Sequence, residues 1–151
     1  MVSATATLRA GREHGPESFV GYVSRPIGAD VLEGSGWAEE MFIRPVGRKK
    51  KNVGDFLTLS HRLRRARFDT AILLTNSFRS ALLAKLAKIR RRIGYDRDGR
   101  MLLMTDYLIP AKKKGKFLPV SMRDYYLAIA KYVGCDIRSM DLELFSTEAD
   151  N

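Results

Sequence analysis

Cysteine is almost missing from this chain: Cys135 stands alone, which excludes an internal disulfide framework and any zinc site built on paired cysteines, and which fits a reducing compartment. Histidine is nearly as scarce. Neither His14 nor His61 stands near a second His, Cys or carboxylate at metal-ligand spacing, so no metal site is expected. Without an identifiable histidine partner, Cys135 reads as a small buried filler rather than a nucleophile. Long apolar runs are lacking too. The richest windows, Ala71–Leu74 and Ala81–Ala87, fall far short of the roughly 20 residues that a membrane-spanning helix needs. Met1–Ala10 has no basic segment followed by an apolar run and does not read as a secretory signal. Gly34-Ser35-Gly36 lacks the third glycine of a dinucleotide fingerprint, and no Walker loop occurs, so spacing points to no resident cofactor.

What is present is positive charge and enough apolar material for one core. The chain has 151 residues, 45% of them hydrophobic, and 27 Lys and Arg against 17 Asp and Glu give a formal charge of +10. That size predicts one domain, and that charge predicts partners carrying phosphate or carboxylate groups.

Periodicity predicts an α/β chain. Ala4–Glu13 suits an amphipathic helix stopped by His14-Gly15-Pro16, and Phe19–Val23 and Met41–Ile43 are β-rich runs ended by prolines. Between those runs Ala29–Glu33 can make about one helical turn, the strand–helix–strand order of parallel sheets. Gly47–Lys51 reads as a basic loop and Asp55–Arg67 as a surface helix with Phe56, Leu59 and Leu63 on its dry face. Thr70–Thr75 is a nearly continuous apolar strand, Asn76 and Ser77 can cap, and Ser80–Lys88 continues as a helix. Ile93–Tyr95 and Leu102–Met104 are candidate strands around the turn Asp96–Gly99, and Lys112–Lys116 reads as a solvated loop. Ser121–Val133 predicts a helix with Tyr125, Ile129 and Val133 facing the core, stopped by Gly134.

Four stretches carry a family resemblance. They are Phe68–Ala81 with its Asn76-Ser77-Phe78-Arg79-Ser80 turn, then Arg91–Arg100 followed by Leu102–Asp106, and finally Ala29–Ser35 with Asp124–Ala128. Together they resemble glycosyltransferase family 9, the ADP-heptose:lipopolysaccharide heptosyltransferases, over most of the chain up to Ser146. The resemblance implies a GT-B architecture in which an amino-terminal Rossmann-like domain holds the growing lipopolysaccharide inner core and a second domain holds the donor, ADP-heptose. On that reading residues 1–145 are the acceptor-side Rossmann-like domain and 146–151 begin the interdomain linker. The family's first strand and its Gly-Asp loop, whose aspartate is the proposed base, would precede Met1, so no residue of this chain matches that catalytic group. The resemblance also implies work at the cytoplasmic face of the inner membrane and a chain that is inactive alone. The runs Lys49–Lys51 and Lys112–Lys116 read as exposed loops or as a hold on an anionic leaflet, and loss of a central parallel strand, by exposing its neighbours' edges, predicts poor solubility.

Ligands of open parallel sheets sit beyond the carboxyl ends of the strands, where the turn Thr75–Arg79 falls. Arg79 is placed there to bridge a phosphate or carboxylate, with Asn76, Ser77 and Ser80 as neutral donors. Ordinary helix capping explains Asn76 and Ser77 equally well. Tyr95, Arg97 and Arg100 match family residues in a predicted loop, where they would add a stacking surface and charge, or would simply be a solvated turn. Two further readings remain open. One is a small basic nucleic-acid-binding module, permitted by the charge and by Arg62, Arg64, Arg65 and Arg67 but without a recognised motif. The other is a non-catalytic scaffold that pairs with a separately encoded second domain.

Overall fold

The computed structural model describes residues 5–26, 35–44 and 53–135, which fall into two compact units, 1–51 with 121–151 and 52–120. The expected turn at Ala29–Glu33, the basic loop Gly47–Lys51 and the tail Ser146–Asn151 lie outside the described residues.

In the first unit, helix α1 (Thr5–His14) leads to strand β1 (Gly21–Ser24), which pairs in parallel with β2 (Glu40–Ile43) in the register Gly21 to Glu40 and Ser24 to Ile43. The last helix, here α4 (Met122–Val133), packs against α1. The Ser121 hydroxyl caps α4 by accepting from Asp124 N at 3.1 Å. At its other end Gly134 takes the left-handed conformation at φ 99°, letting Cys135 N reach back to Ala130 O at 3.0 Å. Tyr125 and Ile129 are buried as the helical spacing requires, and Cys135 is the buried filler expected. The connection from α1 into β1 is tied by Glu39, which accepts from Val20 N at 2.7 Å and pairs with Arg12 at 2.7 Å. The backbone bond from Val20, then the Arg12 guanidinium, hold this carboxyl below its usual range.

The second unit carries α2 (Val53–Arg65), β3 (Thr70–Leu73), α3 (Phe78–Leu86), β4 (Arg91–Tyr95), β5 (Asp106–Leu108) and a short antiparallel hairpin, β6 (Lys112–Lys113) with β7 (Lys116–Phe117). The strands β3, β4 and β5 form a parallel sheet with β4 in the middle, and Thr70 pairs with Arg91 and Ile93 with Asp106. Its central strand buries Ile93, Gly94 and Tyr95 in succession, as a parallel strand covered on both faces must. Helix α3 is the crossover from β3 to β4, and Ala81, Leu83, Ala84, Leu59 and Leu63 supply the core beside the sheet. This is an α/β fold with parallel sheets, as the element order predicts.

Two expectations need correction. Leu102–Met104 is not a strand: Met101–Leu103 is a turn of 3-10 helix, closed by Leu103 N to Arg100 O at 2.8 Å, and the strand follows at Asp106. Leu103 and Met104 sink onto Ala81 while Leu102 stays 84% exposed. Lys112–Lys116 is not an irregular loop either. It is a hairpin with Lys114 and Gly115 at φ 50° and 77°, the consecutive positive values of a two-residue hairpin turn, although every residue in it is solvent-exposed as expected.

Candidate functional site

At the carboxyl end of β3 the chain turns through Thr75, Asn76 and Ser77 into α3. Ser77 is the N-cap: at φ −73° and ψ 138° its backbone is extended, and its hydroxyl accepts from Ser80 N at 3.2 Å. Ser80 answers by donating its own hydroxyl to Ser77 O at 2.7 Å. Helix α3 therefore starts from a reciprocal serine pair, which fixes the entry angle of the turn and satisfies one of its otherwise orphaned amides.

Beneath this turn lies Arg100, with none of its surface exposed to solvent. Its Nε donates to Tyr95 O at 2.9 Å, and one terminal nitrogen donates to Thr75 O. The same nitrogen lies 3.4 Å from Ser80 Oγ and 3.5 Å from Ser77 O, and the other lies 3.5 Å from Asn76 Oδ1. The last three contacts are long, so the hold rests mainly on the two carbonyls, Thr75 at the end of β3 and Tyr95 at the end of β4. One guanidinium thus ties together two adjacent strand ends and the helix start between them.

Gly94 makes room for it. A Cβ at this position would come within 3.1 Å of the Arg100 guanidinium, 3.0 Å of Leu73 O and 2.9 Å of Met104 Cε. The backbone carbonyl cannot swing aside, so the glycine is needed here for space. Opposite Arg100, Asp98 and Gly99 at φ 56° and 67° fold the chain back, with Arg100 N donating to Arg97 O at 3.3 Å.

The structure sorts the seven expected site residues into two groups. Asn76, Ser77, Ser80, Tyr95 and Arg100 come together in the clamp just described. Arg79 and Arg97 lie apart from it on aromatic rings: the Arg79 guanidinium sits 5.2 Å from the centre of Phe56, and that of Arg97 sits 4.2 Å from Phe117. The placement of Tyr95 and Arg100 in a solvated loop is corrected, since Tyr95 ends β4 and both are buried. A stacking surface at Tyr95 is therefore not on offer, because only 7% of the residue is exposed. Ser80 has its hydroxyl proton committed to Ser77 O, which removes it as a donor to a ligand. Ser77 keeps a hydroxyl proton after accepting from Ser80 N, and it is exposed, as is Arg79. Sequence reasoning gave no part in the site to Gly94 or Phe117 and read Phe56 only as part of the dry face of its helix. The first is legible only once Arg100 is known to be buried beside it, and the aromatic partners lie on elements distant in sequence.

Residues 56–149 match the model of glycosyltransferase family 9 (heptosyltransferase), and the chain belongs to that family. It is 26% identical over 142 residues to lipopolysaccharide heptosyltransferase 2 of Escherichia coli, an alignment covering 94% of this chain and 40% of that protein. It is 27% identical over 106 residues to the enzyme of the same name from Salmonella typhimurium, covering 70% of this chain and 30% of that one. The chain thus spans 40% or less of the curated relatives it matches. Among solved structures it resembles E. coli ADP-heptose lps heptosyltransferase II, with a TM-score of 0.71 at 23% identity over 99% of this chain and 44% of that one. It also resembles a family 9 glycosyl transferase from Veillonella parvula, with a TM-score of 0.78 at 18% identity over 98% of this chain and 42% of that one. These two likenesses establish the fold. No helix among the described residues is long and apolar enough to cross a membrane.

Proposed function

We propose that this chain is the acceptor-side half of a GT-B heptosyltransferase that moves heptose from ADP-heptose to the lipopolysaccharide inner core. In this reading residues 1–145 form the Rossmann-like acceptor domain and 146–151 open the linker to a donor-binding half, which holds ADP-heptose. Ser77, Arg79 and Arg97 contact the anionic acceptor, and Asn76, Ser80, Tyr95 and Arg100 keep the turn in place. Without its donor-binding half the chain is inactive in this reading. Its place of work is the cytoplasmic face of the inner membrane, where the acceptor lipid lies.

The observation that supports this best is the clamp. A fully buried arginine tying two parallel strand ends to a helix start, inside the segment matched by the family model, pre-organises the end of the sheet at which open parallel folds take ligands. Membership of the family also favours a glycosyl acceptor over nucleic acid as the polyanion that the charge selects.

Calorimetric titration of the purified chain with a soluble, phosphorylated inner-core oligosaccharide tests the reading. Binding that weakens about tenfold or more in Arg79→Ala is expected, since a bidentate charge-assisted contact is worth roughly 1.5–3 kcal/mol. No saturable binding by the unaltered chain would overturn the acceptor role. Release of ADP from ADP-heptose by the chain alone would overturn its inactivity.

A further inference from the structure

The hairpin β6–β7 sorts its side chains onto two faces. Lys112 pairs with Phe117 across the strands and Lys113 with Lys116, while Leu118 N donates to Ala111 O at 2.9 Å and continues the ladder by one rung. Side chains alternate along a strand, so Lys112 and Phe117 share one face while Ala111, Leu118, Lys113 and Lys116 share the other. The first face touches its unit at one point, Phe117, which stays 44% exposed. The Arg97 guanidinium lies 4.2 Å from the centre of the Phe117 ring and ties the hairpin to its unit there, while the Lys112 ammonium, 4.7 Å from the same ring, braces the two strands from within the hairpin.

The second face is open and locally unfavourable. Lys113 and Lys116 stand directly opposite one another, a like-charge pair that weakens a hairpin. Lys114 occupies the tip at φ 50°, where asparagine or glycine would be at ease. None of Lys113, Lys114 and Lys116 makes an ion pair among the described residues. Beside them Leu118 is 43% exposed, and two residues further out along each arm are Ile109 at 73% and Val120 at 50%. Three unneutralised cations next to a fringe of bare aliphatic side chains fit one kind of surface. A phosphorylated sugar would use the cations and leave the aliphatics in water, whereas the boundary between lipid headgroups and acyl chains takes both.

We propose that this face of the β6–β7 hairpin is a docking surface for an anionic lipid bilayer, with Lys113, Lys114 and Lys116 among the headgroups and Leu118 and Ile109 against the acyl boundary. The assignment deepens the reading of the chain as a protein working beside a membrane-borne acceptor. Its docking side chains are none of those given to the acceptor, and the two readings share only Arg97, which holds the hairpin through Phe117.

Co-sedimentation of the full chain with vesicles tests it. Binding to vesicles of phosphatidylcholine with one quarter phosphatidylglycerol is expected, with little on phosphatidylcholine alone. The triple variant K113Q/K114Q/K116Q should lose affinity on the order of 100-fold, roughly fivefold per lysine for charges at an anionic surface. Neutralising Lys85, Lys88 and Lys131 instead should change it several-fold less, and Leu118→Asn should weaken binding to vesicles without weakening retention on soluble heparin. All these changes are at exposed positions, and circular dichroism of each variant confirms that it is folded. Equal loss in the two triple variants would overturn the proposal in favour of diffuse charge attraction. Absence of vesicle binding, with aggregation of K113Q/K114Q/K116Q, would overturn it in favour of lysines that only guard an exposed strand edge. Binding of the soluble inner-core oligosaccharide is measured separately, so loss of one activity with retention of the other shows which proposal has failed.

Discussion

A single side chain organises the end of the second unit's sheet, and its removal should be felt beyond its own volume. Arg100→Met leaves the part-buried carbonyl of Thr75 without this donor and the carbonyl of Tyr95 with Arg97 N alone, at a cost of about 2 kcal/mol. Urea unfolding should show that loss, and Arg100→Lys should recover little of it, because an ammonium cannot span the two carbonyls as a planar fork does. A change below about 0.5 kcal/mol in the methionine variant would mean that the turn holds itself. Tyr22 makes the opposite case. Its hydroxyl is buried with no hydrogen-bond partner among the described residues, and burial pushes its pKa up to about 12, against the lowering effect of Arg12 and with a small addition from Glu39. The unfolded phenol titrates near its ordinary value of 10.0. The folded state therefore prefers the protonated form: stability from this group is complete below pH 10 and falls as pH rises towards 12. Tyr22→Phe should unfold no more easily than the parent at pH 7. It should be the more stable of the two by on the order of 2 kcal/mol at the alkaline end, as read from paired urea melts across that range.

Between the residue and the unit stand the helix ends, where two copies of one motif carry opposite residues. Helix α4 ends with Gly134 in the left-handed region, and Gly134 N and Cys135 N bond back to Lys131 O and Ala130 O at 3.0 Å each. Helix α3 ends the same way, with Lys88 N on Lys85 O at 3.0 Å and Ile89 N on Ala84 O at 3.2 Å, but the left-handed residue is Lys88 at φ 57°. Gly134→Ala should destabilise by about 1 kcal/mol and Lys88→Gly should stabilise by a similar amount, because only glycine meets that backbone without steric cost. Thermal unfolding that moves both variants in the same direction would contradict this account. The contrast also marks how far the sequence could be read. The stop at Gly134 and the cap at Ser77 are legible because those residue types have a local reason to be there. A left-handed lysine announces nothing, and β5 was missed because Asp106-Tyr107-Leu108 is too short and too polar to stand out beside the apolar Leu102–Met104. The order of the main strands and helices was readable from periodicity. Burial of Tyr95 and Arg100 was not, because it depends on how β4 lies between β3 and β5.

For the molecule as a whole, composition gives the sum of the charge and is silent on its arrangement, yet arrangement decides which polyanion is chosen. The formal +10 is compatible with nucleic acid and with a phosphorylated glycolipid alike. In the structure Arg62, Arg64 and Arg65 lie exposed on α2, Arg90 and Arg91 are exposed at the start of β4, and four lysines ride the hairpin, so among the described residues no one element offers a long basic face. Arg79 and Arg97 are partly engaged with rings, and Arg100 is enclosed. A protein that neutralises many phosphates at once shows a steep fall in affinity with salt, a logarithmic slope of about −0.9 per phosphate contacted. With its cations divided among separate elements, this chain should contact only a few phosphates of duplex DNA. Its slope should be shallower than about −4, with binding no tighter than roughly 10⁻⁶ M at physiological salt and indifferent to sequence. Fluorescence anisotropy with two unrelated duplexes over 50–200 mM salt checks this, and sub-micromolar, sequence-selective binding at the upper end would return nucleic acid to first place among the partners of this charge.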